Sequence, residues 1–269
     1  MLLYYCLYFL ALIFFLVVVL KTRLKFHFIY FVSYSLFLNV ILGFGCFGMF
    51  ILGLIRPRNP DNCAGAVWML RSCRLFLQWP FKVEVRGREN IPSDHSFILM
   101  PNHQSLFDSY FLSYVWPKRC VPMMKKSLLY MTGIFGITSW LNGSVFIDRQ
   151  DRASSISTCN KCVEMVTDKK IRIVVFPEGT RNMKGSHLLP FKKGAFHMAK
   201  QCGGIKLMPV VVSTLQPRLK DGSFRLVPGK VIVSVLPAIE TTDKSVDELV
   251  KDSYYKMDSE FEKLNKEID

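Results

Sequence analysis

Four short apolar runs, each closing abruptly on polar or turn-forming residues, constrain this 269-residue chain more than any other feature. The first, Ser96 to Met100, leads into Asn102-His103-Gln104-Ser105-Leu106-Phe107-Asp108, and the second, Gly143 to Ile147, delivers Asp148 and Arg149. The third, Val174-Val175-Phe176, opens onto Pro177-Glu178-Gly179-Thr180-Arg181, and the fourth runs from Lys206 to Ser213 with Pro209 near its start. Runs of this length and composition read as buried strands. In an open α/β sheet, ligands sit beyond the carboxyl ends of the strands, so the first and third polar clusters would share one site if their strands are parallel neighbours. The fourth run reads as pocket wall rather than chemistry.

His103 and Asp108 stand five residues apart. On one regular α-helix that spacing would separate them by roughly 140°, on different faces. His103 is therefore expected in the turn before a helix running from Leu106 to Val115, with Ser105 as N-cap and Asp108 in the first helical turn. A carboxylate on one ring nitrogen fixes the tautomer and leaves the other nitrogen free to take a proton from a hydroxyl. The alternative is a solvated histidine near a helix start, with an aspartate that complements the helix dipole.

Beyond the third run, Gly179 permits close backbone approach, Glu178 can accept hydrogen bonds from a polyol, and Arg181 offers a fork matched to phosphate. Arg149 is a second phosphate candidate; its alternative is a surface pairing of Asp148 with Arg149 or Arg152 worth under about 1 kcal/mol. A covalent nucleophile has little support. No Gly-x-Ser-x-Gly elbow occurs, and none of the eight cysteines stands beside His103 in sequence. Cys159-Asn160-Lys161-Cys162 is a lone pair with no second pair to complete a zinc site, so no metal is expected.

Residues 1 to 20 carry no charge and are followed by Lys21-Thr22-Arg23-Leu24-Lys25, with neither the basic start nor the small-residue site of a cleaved leader. Twenty such residues can span a bilayer. Residues 26 to 55 form a second stretch without Lys, Arg, Asp or Glu. The expected organisation is a two-helix hydrophobic membrane anchor over 1–58 and a catalytic α/β domain over 59–269. Residues 66–81 read either as an interfacial helix or as one packed on the domain's own core. At the carboxyl end, Ser245 and Glu248 form a capping box, and Val246, Leu249, Val250, Met257, Phe261 and Leu264 mark an amphipathic helix.

The net charge of +14 is borne by the middle of the chain, because residues 238 to 269 are acidic and residues 1 to 60 carry five basic side chains. A basic domain beside a hydrophobic anchor suits anionic lipid head groups; nucleic acid is disfavoured by that anchor.

In order along the chain, His103-x4-Asp108, Phe146-Ile147-Asp148-Arg149, Phe176-Pro177-Glu178-Gly179-Thr180-Arg181 and Met208-Pro209-Val210-Val211-Val212 resemble the four motifs of the glycerolipid acyltransferases, most of all the 1-acylglycerol-3-phosphate acyltransferases. The likeness extends from about residue 60 to about residue 240. It implies a mixed sheet flanked by helices, and transfer of a fatty acyl group from acyl-CoA, a substrate rather than a cofactor, to the sn-2 hydroxyl of lysophosphatidic acid. It also implies His103 as general base oriented by Asp108, no covalent acyl-enzyme, and the acceptor's glycerol phosphate bound by Glu178, Gly179, Thr180 and Arg181, with Arg149 adding a second positive charge to its phosphate. Lys125, Lys126 and Lys193 are further candidates for CoA or acceptor phosphates. An endoplasmic reticulum membrane location follows from the resemblance alone. Two alternatives stay open: an acyltransferase for glycerol 3-phosphate or another lysophospholipid, and a membrane protein that binds lipid phosphates without transfer.

Overall fold

The computed structural model describes residues 45–72, 81–93, 95–105, 107–182, 186–215 and 228–268. The expected first anchor helix and most of the second lie outside these residues. Helical residues 45–55 belong to the second, and among the described residues no helix is long and apolar enough to cross a membrane.

Seven strands form one sheet: β1 Phe81–Arg86, β2 Ile98–Pro101, β3 Cys120–Lys125, β4 Val145–Ile147, β5 Arg172–Val174, β6 Leu207–Val212 and β7 Gly229–Val235. Their spatial order is β1-β7-β6-β2-β5-β3-β4. From β6 to β4 all neighbours are parallel. β7 runs antiparallel to β6 and parallel to β1, so the sheet is mixed, as expected. The two strands whose exits carry the polar clusters, β2 and β5, are hydrogen-bonded parallel neighbours, with Ile98 opposite Ile173 and Leu99 opposite Val174.

The helices are α1 Cys63–Ser72, α2 Asp108–Leu112, α3 Ser127–Met131, α4 Ile134–Leu141, α5 Arg152–Thr167, α6 Gly194–Gln201 and α7 Val246–Ile268. Side chains alternate across the sheet: Ile98, Met100, Leu207 and Val211 join the core under α5, α6 and α7, while Phe97, Leu99, Met208 and Val210 join the core under α2. Burial on both faces explains why the central strands read as continuous apolar runs. α7 starts with the expected capping box, in which the Ser245 amide donates to Glu248 Oε2 (2.8 Å) and the Glu248 amide to Ser245 Oγ (3.3 Å). Its Leu249, Met257, Phe261 and Leu264 are buried.

α2 is shorter than the expected Leu106 to Val115 helix, and Phe107 rather than Ser105 is its N-cap. After Leu112 the chain goes on in tighter three-residue turns, the Tyr114 amide donating to the Phe111 carbonyl (3.2 Å) and the Val115 amide to the Leu112 carbonyl (3.0 Å). Before the helix, the Asp108 carboxylate takes the amides of Gln104 and Ser105 and holds them in a turn. Ser105 Oγ still accepts the Phe107 amide at 3.0 Å. The 66–81 segment is mixed where it is described: α1 buries Val67 and Met69 but leaves Trp68 72% exposed.

Arg172 on β5, unremarkable in the sequence, is 6% exposed and clamps two other chain segments. Its guanidinium donates to the carbonyls of Ser93 (2.6 Å), Lys118 (2.7 Å) and His95 (3.0 Å). A lysine ammonium lacks that planar fork and cannot reach the three carbonyls together. Arg172→Lys is expected to cost about 3 kcal/mol of stability, read as a lower unfolding midpoint of the purified chain; an unchanged midpoint would show that the clamp is not needed.

Candidate active site

His103 leaves β2 in a turn that is fixed on every side. Its ring Nδ1 lies 2.6 Å from Asp108 Oδ2, and the same oxygen accepts the amides of Gln104 (2.7 Å) and Ser105 (3.1 Å). Asp108 is 1% exposed, at the start of α2. A buried carboxylate in this position needs donors, and the turn supplies them. With Nδ1–H directed at Asp108, Nε2 carries the lone pair; it makes no hydrogen bond among the described residues. The ring stacks on Phe176 at 4.0 Å and 25°. The backbone of His103 is held as tightly, its amide donating to Glu178 Oε1 (2.7 Å) and its carbonyl accepting the Asn182 amide (2.8 Å).

Glu178, expected to meet the acceptor's hydroxyls, is 1% exposed, and its oxygens face two backbones. Oε1 takes the His103 amide and Oε2 the Leu189 amide at 2.9 Å. Burial pushes this carboxyl above the usual glutamate value, against the two amides that favour its charge. Next to it, Gly179 has φ +74°, where other residues are strained, and its carbonyl accepts Arg149 Nη1. A Cβ on Gly179 would lie 3.3 Å from Lys192 Cγ and 3.7 Å from Arg149 Nη1, so two cations border the glycine. Lys192 was not singled out in the sequence.

The structure thus joins His103, Asp108, Glu178, Gly179 and Arg149 into one contact chain. Thr180 and Arg181 are exposed just beyond Gly179, and Arg181 makes no ion pair among the described residues. Lys125 and Lys126 are exposed at the end of β3, where Lys126 Nζ is 3.4 Å from Asp148 Oδ2. Lys193 turns to Asp247 at the start of α7 (2.5 Å). Cys162 lies in the core under α5, where burial pushes its thiol up to about 12.

A family model described as Acyltransferase matches residues 82–213, from β1 to just past β6. The 1-acyl-sn-glycerol-3-phosphate acyltransferase of Haemophilus influenzae is 33% identical over 222 residues, 81% of this chain and 89% of that protein. The chain belongs to the acyltransferase family. Human 1-acyl-sn-glycerol-3-phosphate acyltransferase alpha is 36% identical over 197 residues, 72% of this chain and 67% of the human one. The crystal structure of the 1-acyl-sn-glycerophosphate (LPA) acyltransferase PlsC from Thermotoga maritima superposes with a TM-score of 0.66 at 26% identity, covering 91% of this chain and 97% of that one.

In this acyltransferase, the fourth motif turns out to anchor the turn that carries His103. Asn102 pairs with Val212 through both ends of its amide, Oδ1 accepting the Val212 amide (2.8 Å) and Nδ2 donating to its carbonyl (3.0 Å). Gln104 donates to the carbonyls of Val212 (3.0 Å) and Ser213 (3.1 Å) and accepts the Leu215 amide (3.0 Å). His103 is therefore flanked by two side chains bolted to the exit of β6. The 186–190 strap is tied from outside as well. Asp258 on α7 accepts the Leu188 amide (2.7 Å) and faces His187 Nδ1 (3.0 Å), which it raises in pKa.

Proposed function

We propose that this acyltransferase moves a fatty acyl group from acyl-CoA to the sn-2 hydroxyl of 1-acylglycerol 3-phosphate, giving phosphatidic acid and CoA. The observation that carries the reading is the His103 and Asp108 pair with Nε2 unengaged, linked through Glu178 to the Gly179 and Arg149 corner. Lipid-phosphate binding without transfer would use the cations but has no need of an oriented imidazole. His103 Nε2 takes the proton of the attacking hydroxyl while Asp108 stabilises the imidazolium. The oxygen then bonds to the thioester carbonyl carbon, the carbon–sulfur bond breaks, and the departing thiolate takes the proton back from His103. No acyl-enzyme forms. Arg149 and Arg181, with Lys192 beside Gly179, hold the acceptor phosphate so that its hydroxyl meets Nε2, a gain made by positioning. Residues 1–58 anchor the chain in a membrane, of the endoplasmic reticulum by this reading, and residues 59–269 carry the chemistry.

The test is transfer of labelled acyl-CoA by purified protein in liposomes, with lysophosphatidic acid, glycerol 3-phosphate and lysophosphatidylcholine offered separately and His103→Ala alongside. Phosphatidic acid is expected from lysophosphatidic acid, and loss of roughly 10²–10⁴-fold in rate in the variant. Transfer to another acceptor would change the substrate, and no transfer by folded protein would overturn the reading.

A further inference from the structure

Among the described residues, all large exposed apolar side chains except Ile156 and Tyr255 lie in three stretches: helical residues 45–55, Trp68 on α1, and the α3–α4 hairpin. The hairpin alone exposes Tyr130, Met131, Ile134, Phe135, Ile137 and Trp140, at 44–79% of their surface. No charged residue and no histidine occurs between Lys126 and Asp148. The two helices lie close, for a Cβ on Gly136 would come within 2.4 Å of the Leu129 carbonyl oxygen. An uncharged apolar surface of this extent does not face bulk water without a partner.

Three observations identify the partner as a lipid surface. The first is continuity: Asn142 Nδ2 donates to the Met49 carbonyl (3.0 Å), and Gly53 sits against Leu141, so the exposed Phe47, Ile51, Leu54 and Ile55 extend the same face. Residues 45–55 also end the uncharged stretch that begins at residue 26. The second is the rim. Lys125 and Lys126 are exposed where α3 begins, and the Arg58 guanidinium lies 5.2 Å over the Trp140 ring. Cations and amphipathic aromatic rings around an apolar centre match the headgroup boundary of a bilayer with anionic lipids. The third is location. α3 starts at the carboxyl end of β3, the sheet edge from which the loops of His103, Arg149 and Glu178 emerge.

We propose that the α3–α4 hairpin is a membrane-contacting surface of the catalytic domain itself, bedding the active edge of the sheet into the headgroup and upper acyl region. The surface rests on these contacts alone; its purpose, admitting a lipid acceptor sideways to His103, rests on the acyltransfer reading. The test places photoreactive benzoylphenylalanine at Met131, at Phe135 and, as control, at Tyr255 of the full chain in vesicles of phosphatidylcholine and phosphatidylglycerol. Cross-linking to lipid is expected at the first two positions and not at Tyr255. Cross-linking of the hairpin to a second copy of the chain, absence of lipid adducts, or equal labelling at Tyr255 would each overturn the proposal. In parallel, Ile134→Glu with Phe135→Glu should lower transfer to vesicle-embedded acceptor roughly tenfold or more, the equivalent of one side chain's lost burial. Transfer to a detergent-dispersed short-chain acceptor should be unchanged; an equal loss on both would overturn the proposal. If the unaltered protein transfers to no acceptor, the function fails while the cross-links still decide the surface.

Discussion

Asp108→Asn should lower acyl transfer by roughly 10²–10⁴-fold, the range that a positioned general base contributes, while the protein stays folded. Oδ2 of Asp108 meets three donors: His103 Nδ1–H and the amides of Gln104 and Ser105. An asparagine has one acceptor oxygen and one donor nitrogen. If its oxygen takes the place of Oδ2 it meets the same three donors, but as a neutral and weaker acceptor, and its NH2 stands where Oδ1 faced Ser105 Oγ. If the amide is turned the other way, its NH2 faces the two backbone amides and Nδ1, which then must be the unprotonated nitrogen; the proton moves to Nε2, and that nitrogen can no longer accept one. The charge that offsets the imidazolium is gone in either case. The measurement is kcat on purified protein, with unfolding of the variant followed in the same preparation. Transfer within a few-fold of the parent would remove the dyad from the mechanism.

The dyad was legible because its geometry is local. Five residues do not fit one helix face, so the turn before α2 had to hold His103, and the carboxylate ends within hydrogen-bond reach. The β2 and β5 pairing was legible as a condition, since two buried runs with polar exits share one site if they are parallel neighbours, and they are. What sequence could not show is who faces whom across strands. Asn102 and Gln104 earn their roles only because β6 lies next to β2, and the residues they grip, Val212 to Leu215, are more than a hundred positions away. Lys193 stands in a basic cluster in sequence, yet α7 brings Asp247 to it, so the pairing was decided by a helix that begins some fifty residues later. The length of α2 was overestimated because the apolar pattern runs on to Val115 while the backbone tightens to three-residue turns after Leu112.

Glu178 is the sharpest of these cases, and Glu178→Gln separates its two possible roles. A residue that binds the acceptor would raise KM when altered. The structure has both oxygens on backbone amides, of His103 and Leu189, and almost no exposed surface. Glutamine supplies one acceptor, so one amide then faces an NH2 group and goes unpaired, a loss of about 1–3 kcal/mol. Against that loss stands relief from burying a charge, the cause that raises the carboxyl's pKa. The two effects oppose each other, and the unfolding midpoint at neutral pH should move little. Activity has no such compensation: His103 shifts with its amide, and a displacement near 1 Å can cost about 10²-fold. The expected signature is kcat lower by roughly that factor with KM within a few-fold. The pH dependence carries an independent mark. A folded-state pKa raised above the unfolded value means that the native state binds the proton more tightly, so Glu178's contribution to stability falls as pH rises from the ordinary glutamate range to its raised value, and is level beyond it. Glutamine has no proton to bind, and the variant should lose that slope. A raised KM with unchanged kcat would return Glu178 to the acceptor.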